Sequence, residues 1–385
     1  GDPAPAAPAR RRAGTARFGT SIVTPAEREA IGALLSPLLG ALERIGWAQR
    51  HLHPPAAPAL AEARDPCRRE VGEPLAALRE RAWPADLGFL RDRLAGAAER
   101  TVDLVAAFVE AARSPGDVMG LYRAVRRFAA VQEALYPLAP ALSPVSRWFL
   151  EPERRADDAL VARLQEAALR EDEMRVGVLH AGNERGSRGG FSLYVPELAD
   201  GRTPMPLVVA LHGGSGHGRD FLWSWLREAR SRGVLVLAPT ARDRTWSIMG
   251  GDDVDAGPLA AMVESVGARY PVDRGRVLLT GMSDGATYAL VRGLRDAGPF
   301  THLAPACGVL HPLLLAGGGL AAAGGRPVYL VHGARDWMFP VSTARMAREA
   351  LESAGARVVY REIADLSHTY PRDENPRILD WLMAS

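Results

Sequence analysis

Lysine is absent from the 385 residues, so all 47 basic side chains are arginine. That excludes a Schiff-base lysine, a pyridoxal-phosphate anchor, a Walker lysine and a Ser-Lys dyad. Cysteine is nearly as scarce, with only Cys67 and Cys307. Two lone cysteines build neither a disulfide framework nor a CxxC metal site, and no metal is expected. They fit a reducing compartment, and a cytoplasmic location is the expectation. Long apolar runs are missing too. The one long weakly polar stretch, residues 303–325, is broken by Pro305, His311, Pro312 and several glycines, so no membrane span is expected. An excess of one charge is also lacking: 47 basic against 45 acidic residues leave a net +2. Neither nucleic acid nor a membrane surface is indicated as a partner.

What is present is a globular composition, 47% hydrophobic and 24% charged. The length points to two or three domains. The opening stretch is rich in Pro, Ala and Arg with no apolar h-region, and residues 1–23 read as a disordered arm.

The texture changes near residue 172. Before it the pattern is helical. Thr24-Pro25-Ala26-Glu27 is a capping box with proline at the first helical position. Ile31, Leu34, Leu35, Leu38, Leu42 and Ile45 then recur at helical spacing. Further helices are expected over about 85–112, from 118 to about 135, and over about 155–170. Residues 24–172 read as a helical bundle or cap domain. Apolar stripes are usually core, so a scaffold is preferred over a lid or partner surface.

Residues 173–385 read as a second domain, α/β in class. Eight strand candidates lie at 174–179, 191–195, 207–211, 234–238, 277–280, 303–309, 328–331 and 358–363. Helical stretches at 219–232, 257–269, 284–295, 341–354 and 375–383 separate most of them. Two hairpin-like strands followed by β-α repeats imply a mostly parallel sheet flanked by helices. In such a sheet the active groups sit at the carboxyl ends of the strands.

Gly281-Met282-Ser283-Asp284-Gly285 follows a strand and opens a helix, the setting of a G-x-S-x-G nucleophile elbow. Glycine on either side of the serine avoids a clash in the tight turn, and Ser283 is held out as a nucleophile. The N–H of Asp284, at a helix N-terminus, is placed to donate to an oxyanion. Leu211-His212-Gly213-Gly214-Ser215-Gly216 ends an earlier strand, and Gly214 is the second expected oxyanion donor. A dinucleotide-binding loop would need an acid at the end of the next strand, which instead ends Ala238-Pro239-Thr240. Asp336, in His332-Gly333-Ala334-Arg335-Asp336, stands just past a buried strand. His368 follows the last strand. The order Ser283, Asp336, His368 is that of an α/β-hydrolase and differs from both common serine-protease orders.

On these four segments, residues 175–385 resemble an α/β-hydrolase. They are most similar to the predicted-esterase group that includes phospholipase/carboxylesterase-type and poly(3-hydroxybutyrate)-depolymerase-like enzymes. The long helical N-terminal region departs from the compact members.

The resemblance implies an α/β-hydrolase fold and a serine hydrolase of carboxylic esters of small or moderate size, with no cofactor. The alternatives are a peptidase or thioesterase on the same machinery, or a non-catalytic hydrolase fold that serves as a binding module. Asp336 is preferred over Asp365 as the acid. Trp246, Trp337 and Met338 are candidate substrate-pocket residues, with ordinary packing as the even alternative for each tryptophan. His212 is expected to shape its loop. His51 and His53 are expected to be a surface pair, not a metal site.

Overall fold

The computed structural model describes residues 23–114, 116–170, 174–295, 298–315 and 319–384. Most of the expected N-terminal arm and the 172/173 boundary lie outside them.

Among the described residues eight α-helices precede the first strand: α1 Pro25–Arg50, α2 Ala57–Glu62, α3 Pro66–Glu80, α4 Gly88–Arg113, α5 Val118–Arg126, α6 Phe128–Leu135, α7 Ser143–Trp148 and α8 Asp158–Ala167. The capping box forms as the sequence predicts. The Glu27 N–H donates to Thr24 Oγ1 at 3.3 Å, and the Thr24 N–H donates to Glu27 Oε2 at 2.8 Å. All six apolar positions of the α1 stripe are buried. The third expected helix is two, α5 and α6, with a break at Arg127.

The strands are β1 Gly177–Ala181, β2 Phe191–Val195, β3 Met205–Leu211, β4 Leu235–Pro239, β5 Val272–Met282, β6 His302–Ala306, β7 Pro327–Gly333 and β8 Arg357–Ile363. They form one sheet in the order β1-β2-β4-β3-β5-β6-β7-β8. β1 and β2 pair antiparallel, β2 joins β4 antiparallel, and every later pairing is parallel. This is the α/β-hydrolase fold. The remaining helices are α9 Gly218–Phe221, α10 Leu226–Arg232, α11 Ala256–Gly267, α12 Asp284–Arg295, α13 Pro312–Leu315, α14 Val341–Ser353 and α15 Asn375–Ala384. Among the described residues no helix is long and apolar enough to cross a membrane.

Both sheet faces are covered, as a parallel sheet requires. On one face α11, α12 and α14 bury Leu259, Val263, Leu290 and Leu351 against β3, β5 and β7. On the other, α10 and α15 pack together with the N-terminal helices. Leu38, Leu94, Phe128, Trp148, Trp225 and Leu379 share one apolar cluster with Val208 and Leu278 of the sheet. Each such side chain contributes roughly 1.5–3 kcal/mol when fully buried. The helical layer and the sheet therefore share a core.

A buried polar knot fastens that junction. Arg230 on α10, 2% exposed, pairs with Glu197 at 2.8 Å. The hydroxyls of Tyr136 and Tyr194 donate to the same carboxylate at 2.6 and 2.5 Å. Arg230 Nη1 donates to the carbonyl of Ser146 on α7 at 2.8 Å. Every charge in the knot has partners, which is the condition for burying it without a large penalty.

Candidate active site

β5 runs straight into Ser283, whose φ is +55°, and α12 begins at the next residue. The turn admits no side chain at its flanking glycines. A Cβ at Gly281 would lie 2.6 Å from the Gly285 backbone, and one at Gly285 would lie 2.4 Å from the Leu211 carbonyl oxygen. Strand, elbow and helix thus touch backbone to backbone, and Ser283 takes the strained left-handed conformation.

Three loops at the carboxyl ends of β5, β7 and β8 meet here. His368 Nε2 lies 3.0 Å from Ser283 Oγ. His368 Nδ1 lies 2.8 Å from Asp336 Oδ2. The other Asp336 oxygen accepts the N–H groups of Met338 at 2.9 Å and Phe339 at 2.8 Å. An acceptor-only carboxylate against Nδ1 puts the ring proton there, so Nε2 presents its lone pair to the serine hydroxyl. Burial raises the Asp336 carboxyl pKa. The hydrogen bond and charge of His368, with the Phe339 N–H, outweigh that and hold it below the ordinary value. Asp336 is therefore ionised at neutral pH.

Asp365, the other expected acid, is elsewhere. Its carboxylate pairs with Arg50 at 3.1 Å and His51 at 3.3 Å and is half exposed.

The loop from Gly213 to Gly216 is held by its own hydrogen bonds. The Gly213 carbonyl accepts the Gly216 N–H at 2.9 Å and His212 Nδ1 at 2.7 Å. In a trans peptide the N–H opposes the C=O, so fixing that carbonyl fixes the Gly214 N–H on the other side. The Gly214 and Asp284 N–H groups have no protein acceptor among the described residues. His212 shapes this loop, as expected. Its Nε2 accepts the Ala241 N–H at 3.1 Å, and burial lowers its pKa to about 3, so the ring is neutral.

A cavity of about 390 Å³ opens over Ser283. One wall is the loop from Gly213 to Gly216 with Asp284, and Met338 also lines the cavity. The opposite wall comes from the helical layer, through Arg50, Leu52, Met119, Tyr122, Val125 and Arg126. The layer thus does more than cover the sheet, because one mixed polar and apolar edge of it lines the cavity.

The two tryptophans do not line this cavity. Trp246 is 2% exposed and sits behind the loop from His212 to Gly216. Its indole N–H donates to the His212 carbonyl at 2.8 Å, and its ring stacks on Tyr288. That contact satisfies a large amphipathic side chain inside the core. Trp337 is 41% exposed and donates to the Tyr122 hydroxyl at 3.0 Å.

Sequence reasoning missed how the helical layer grips the loop that carries His368. The Tyr122 hydroxyl donates to the His368 carbonyl at 2.9 Å. Arg50 pairs with Asp373 at 2.6 Å, and its own carbonyl accepts the Thr369 hydroxyl at 3.0 Å. His53 Nδ1 lies 3.1 Å from Ser367 Oγ. His51 and His53 are therefore not a free surface pair. Each meets the histidine loop, because α1 ends beside it. Among the described residues no three His, Cys, Asp or Glu side chains cluster as metal ligands.

No protein-family model and no curated protein matches the chain. Solved structures are similar over about half of it. One is a thermostable esterase, 20% identical, with TM-score 0.42, covering 54% of this chain and 62% of that one. This chain therefore spans less than two thirds of that esterase. Another is the esterase PE8, 25% identical, with TM-score 0.41, covering 50% of this chain and 96% of that one. A third is the fluorophosphonate-binding serine hydrolase F of Staphylococcus aureus, 14% identical, with TM-score 0.44, covering 53% and 96%.

Proposed function

We propose that the chain is a serine hydrolase that cleaves carboxylic esters through an acyl-enzyme. The observation that carries this reading is the unbroken relay from Asp336 through His368 to Ser283, at 2.8 and 3.0 Å, opening on a cavity. Ser283 Oγ attacks the ester carbonyl while His368 Nε2 takes its proton. The tetrahedral oxyanion is held by the N–H groups of Gly214 and Asp284, each such donor contributing roughly 3 kcal/mol. His368 then protonates the leaving alkoxide, and the alcohol departs. A water molecule, deprotonated by the same nitrogen, attacks the acyl-enzyme and releases the acid and the free serine. Asp336 keeps the imidazole in the required tautomer and stabilises its charged form.

The same machinery acts on thioesters and amides. A binding module would need neither the strained serine nor an aligned histidine and acid. The test is turnover of a panel of 4-nitrophenyl esters from acetate to octanoate, with matched thioesters and anilides. The reading expects ester hydrolysis with an initial burst of one equivalent of nitrophenol where deacylation is slow, and none from Ser283→Ala. Amides cleaved faster than esters would make the chain a peptidase. Equal turnover by native and Ser283→Ala chains would remove Ser283 as the nucleophile.

A further inference from the structure

The cavity over Ser283 carries more positive charge than its own carboxylates neutralise. Arg50, Arg126 and Arg372 all line it. Arg50 is paired with Asp365 and Asp373. The other two have no ion pair among the described residues. Arg126 donates to the carbonyls of Gly214 at 3.0 Å and Ser215 at 3.3 Å. Among the described residues the Arg372 guanidinium donates no hydrogen bond; it lies over the Phe128 ring, 5.4 Å from the centroid, and meets the Glu228 carboxylate only through space. The two carboxylates on the cavity wall are engaged elsewhere. Asp220 pairs with Arg185 at 2.7 Å, and Asp284 accepts the Thr245 hydroxyl at 2.6 Å.

The cost of this arrangement is visible. Burial, then the charge of Arg227, lowers the Arg372 pKa to about 10, and burial lowers that of Arg126. An arginine drawn partly out of water with no direct ion-pair partner costs the fold stability. It also makes a good site for an anion, because part of its desolvation has already occurred and its fork matches a carboxylate. The rest of the lining is largely apolar, with Leu52, Met119, Val125, Ala129 and Phe221.

We infer that the cavity takes an ester that itself carries a carboxylate, with Arg372 as the ion-pair partner of that group and Arg126 beside it at the oxyanion segment. The inference rests on the hydrolase reading above and names its substrate class. The carboxylate is on either the acyl or the alcohol side, and the substrates of the test distinguish the two.

For the acyl side, mono-4-nitrophenyl adipate is compared with 4-nitrophenyl hexanoate. For the alcohol side, 4-carboxyphenyl butanoate is compared with phenyl butanoate. The native chain is expected to favour the charged member of one pair by at least about tenfold in kcat/KM, the scale of one charged hydrogen bond. Arg372→Gln abolishes that preference, lowering kcat/KM for the charged ester at least about tenfold more than for its neutral partner. Arg372→Lys keeps part of it. A second measurement needs no turnover: calorimetric binding of adipate to the native chain, lost in Arg372→Gln. Arg372→Met supplies a second, apolar variant, and an unchanged or raised Tm in it shows that loss of adipate binding is not loss of folding.

Native turnover of neutral esters with no preference for either charged member overturns the inference and leaves the hydrolase reading standing. So does an equal loss on charged and neutral esters in Arg372→Gln. Adipate binding that depends on Arg372 without turnover of any ester keeps the anion site and removes the hydrolase reading. Absence of adipate binding to the native chain contradicts the site outright.

Discussion

The hydroxyl of Tyr122, on α5, donates to the backbone carbonyl of His368 at 2.9 Å across 246 positions of sequence. It in turn accepts the Trp337 indole N–H at 3.0 Å, from the loop that carries Asp336. One side chain of the helical layer thus ties together the loops of the acid and the base. Tyr122→Phe removes both bonds and keeps the ring. The expected result is a several-fold fall in kcat with KM changed less than twofold, and a stability loss of about 1 kcal/mol. Steady-state kinetics and urea denaturation check the two parts. Loss of stability with unchanged kcat would make the contact structural only.

Asp336→Asn removes the charge that fixes the His368 tautomer while keeping the shape. An amide that offers its NH2 to Nδ1 turns the ring proton to the serine side. A fall in kcat of about 10³–10⁴-fold is expected, the scale of this change in known triads. Asp365→Asn is expected to stay within about threefold, because Asp365 meets Arg50 and His51 and not His368. If the two variants lose equally, the assignment of the acid fails.

Gly214 tests the oxyanion segment. A Cβ there would sit 2.6 Å from Asp284 Oδ2, so either the carboxylate or the loop must shift. Gly214→Ala is expected to lower kcat by at least about tenfold, given what one misplaced donor costs. Asp284→Ala keeps the backbone donor and clears the space. Gly214→Ala in that background should recover most of the loss, giving a positive coupling in a double-mutant cycle. Additive losses would mean the clash is not the cause.

Glu228 predicts a pH dependence of stability. It is 8% exposed, and burial raises its carboxyl pKa from 4.5 to about 7. The folded state therefore binds a proton more readily than the unfolded state. Stability is full below pH 4.5 with respect to this group, and it is lost as pH rises through about 7. The cost at pH 8 is roughly 3 kcal/mol. Glu228→Gln does not ionise, so it should match the native chain near pH 5 and exceed it at pH 8 in denaturant titrations. A variant that is weaker at pH 8 would show that the ionised carboxylate is stabilising.

Much of this was legible in the chain. All eight strands fall where short apolar runs predict them, with ends shifted by a few residues. The elbow could be placed because two glycines and a serine must stand at that spacing for strand and helix to touch. The helical layer was harder to read. α2 and α3 were missed because Pro54, Pro55, Pro58 and Pro66 look like breaks, although proline at the first helical turn starts a helix as readily. Trp246 follows a strand-end loop like a pocket residue, but its N–H found a buried carbonyl. Arg126 and Arg372 gave no signal at all. Among 47 arginines, only the three-dimensional meeting of α5 with the β8 loop distinguishes them.

The central claim is an activated serine at the elbow. Its most direct measurement is intact-mass labelling with a fluorophosphonate on the native chain and on Ser283→Ala. The account predicts one covalent adduct on the native chain, slowed in Asp336→Asn and absent from Ser283→Ala. A folded native chain that takes no adduct, or a Ser283→Ala chain that labels as fast, would contradict it.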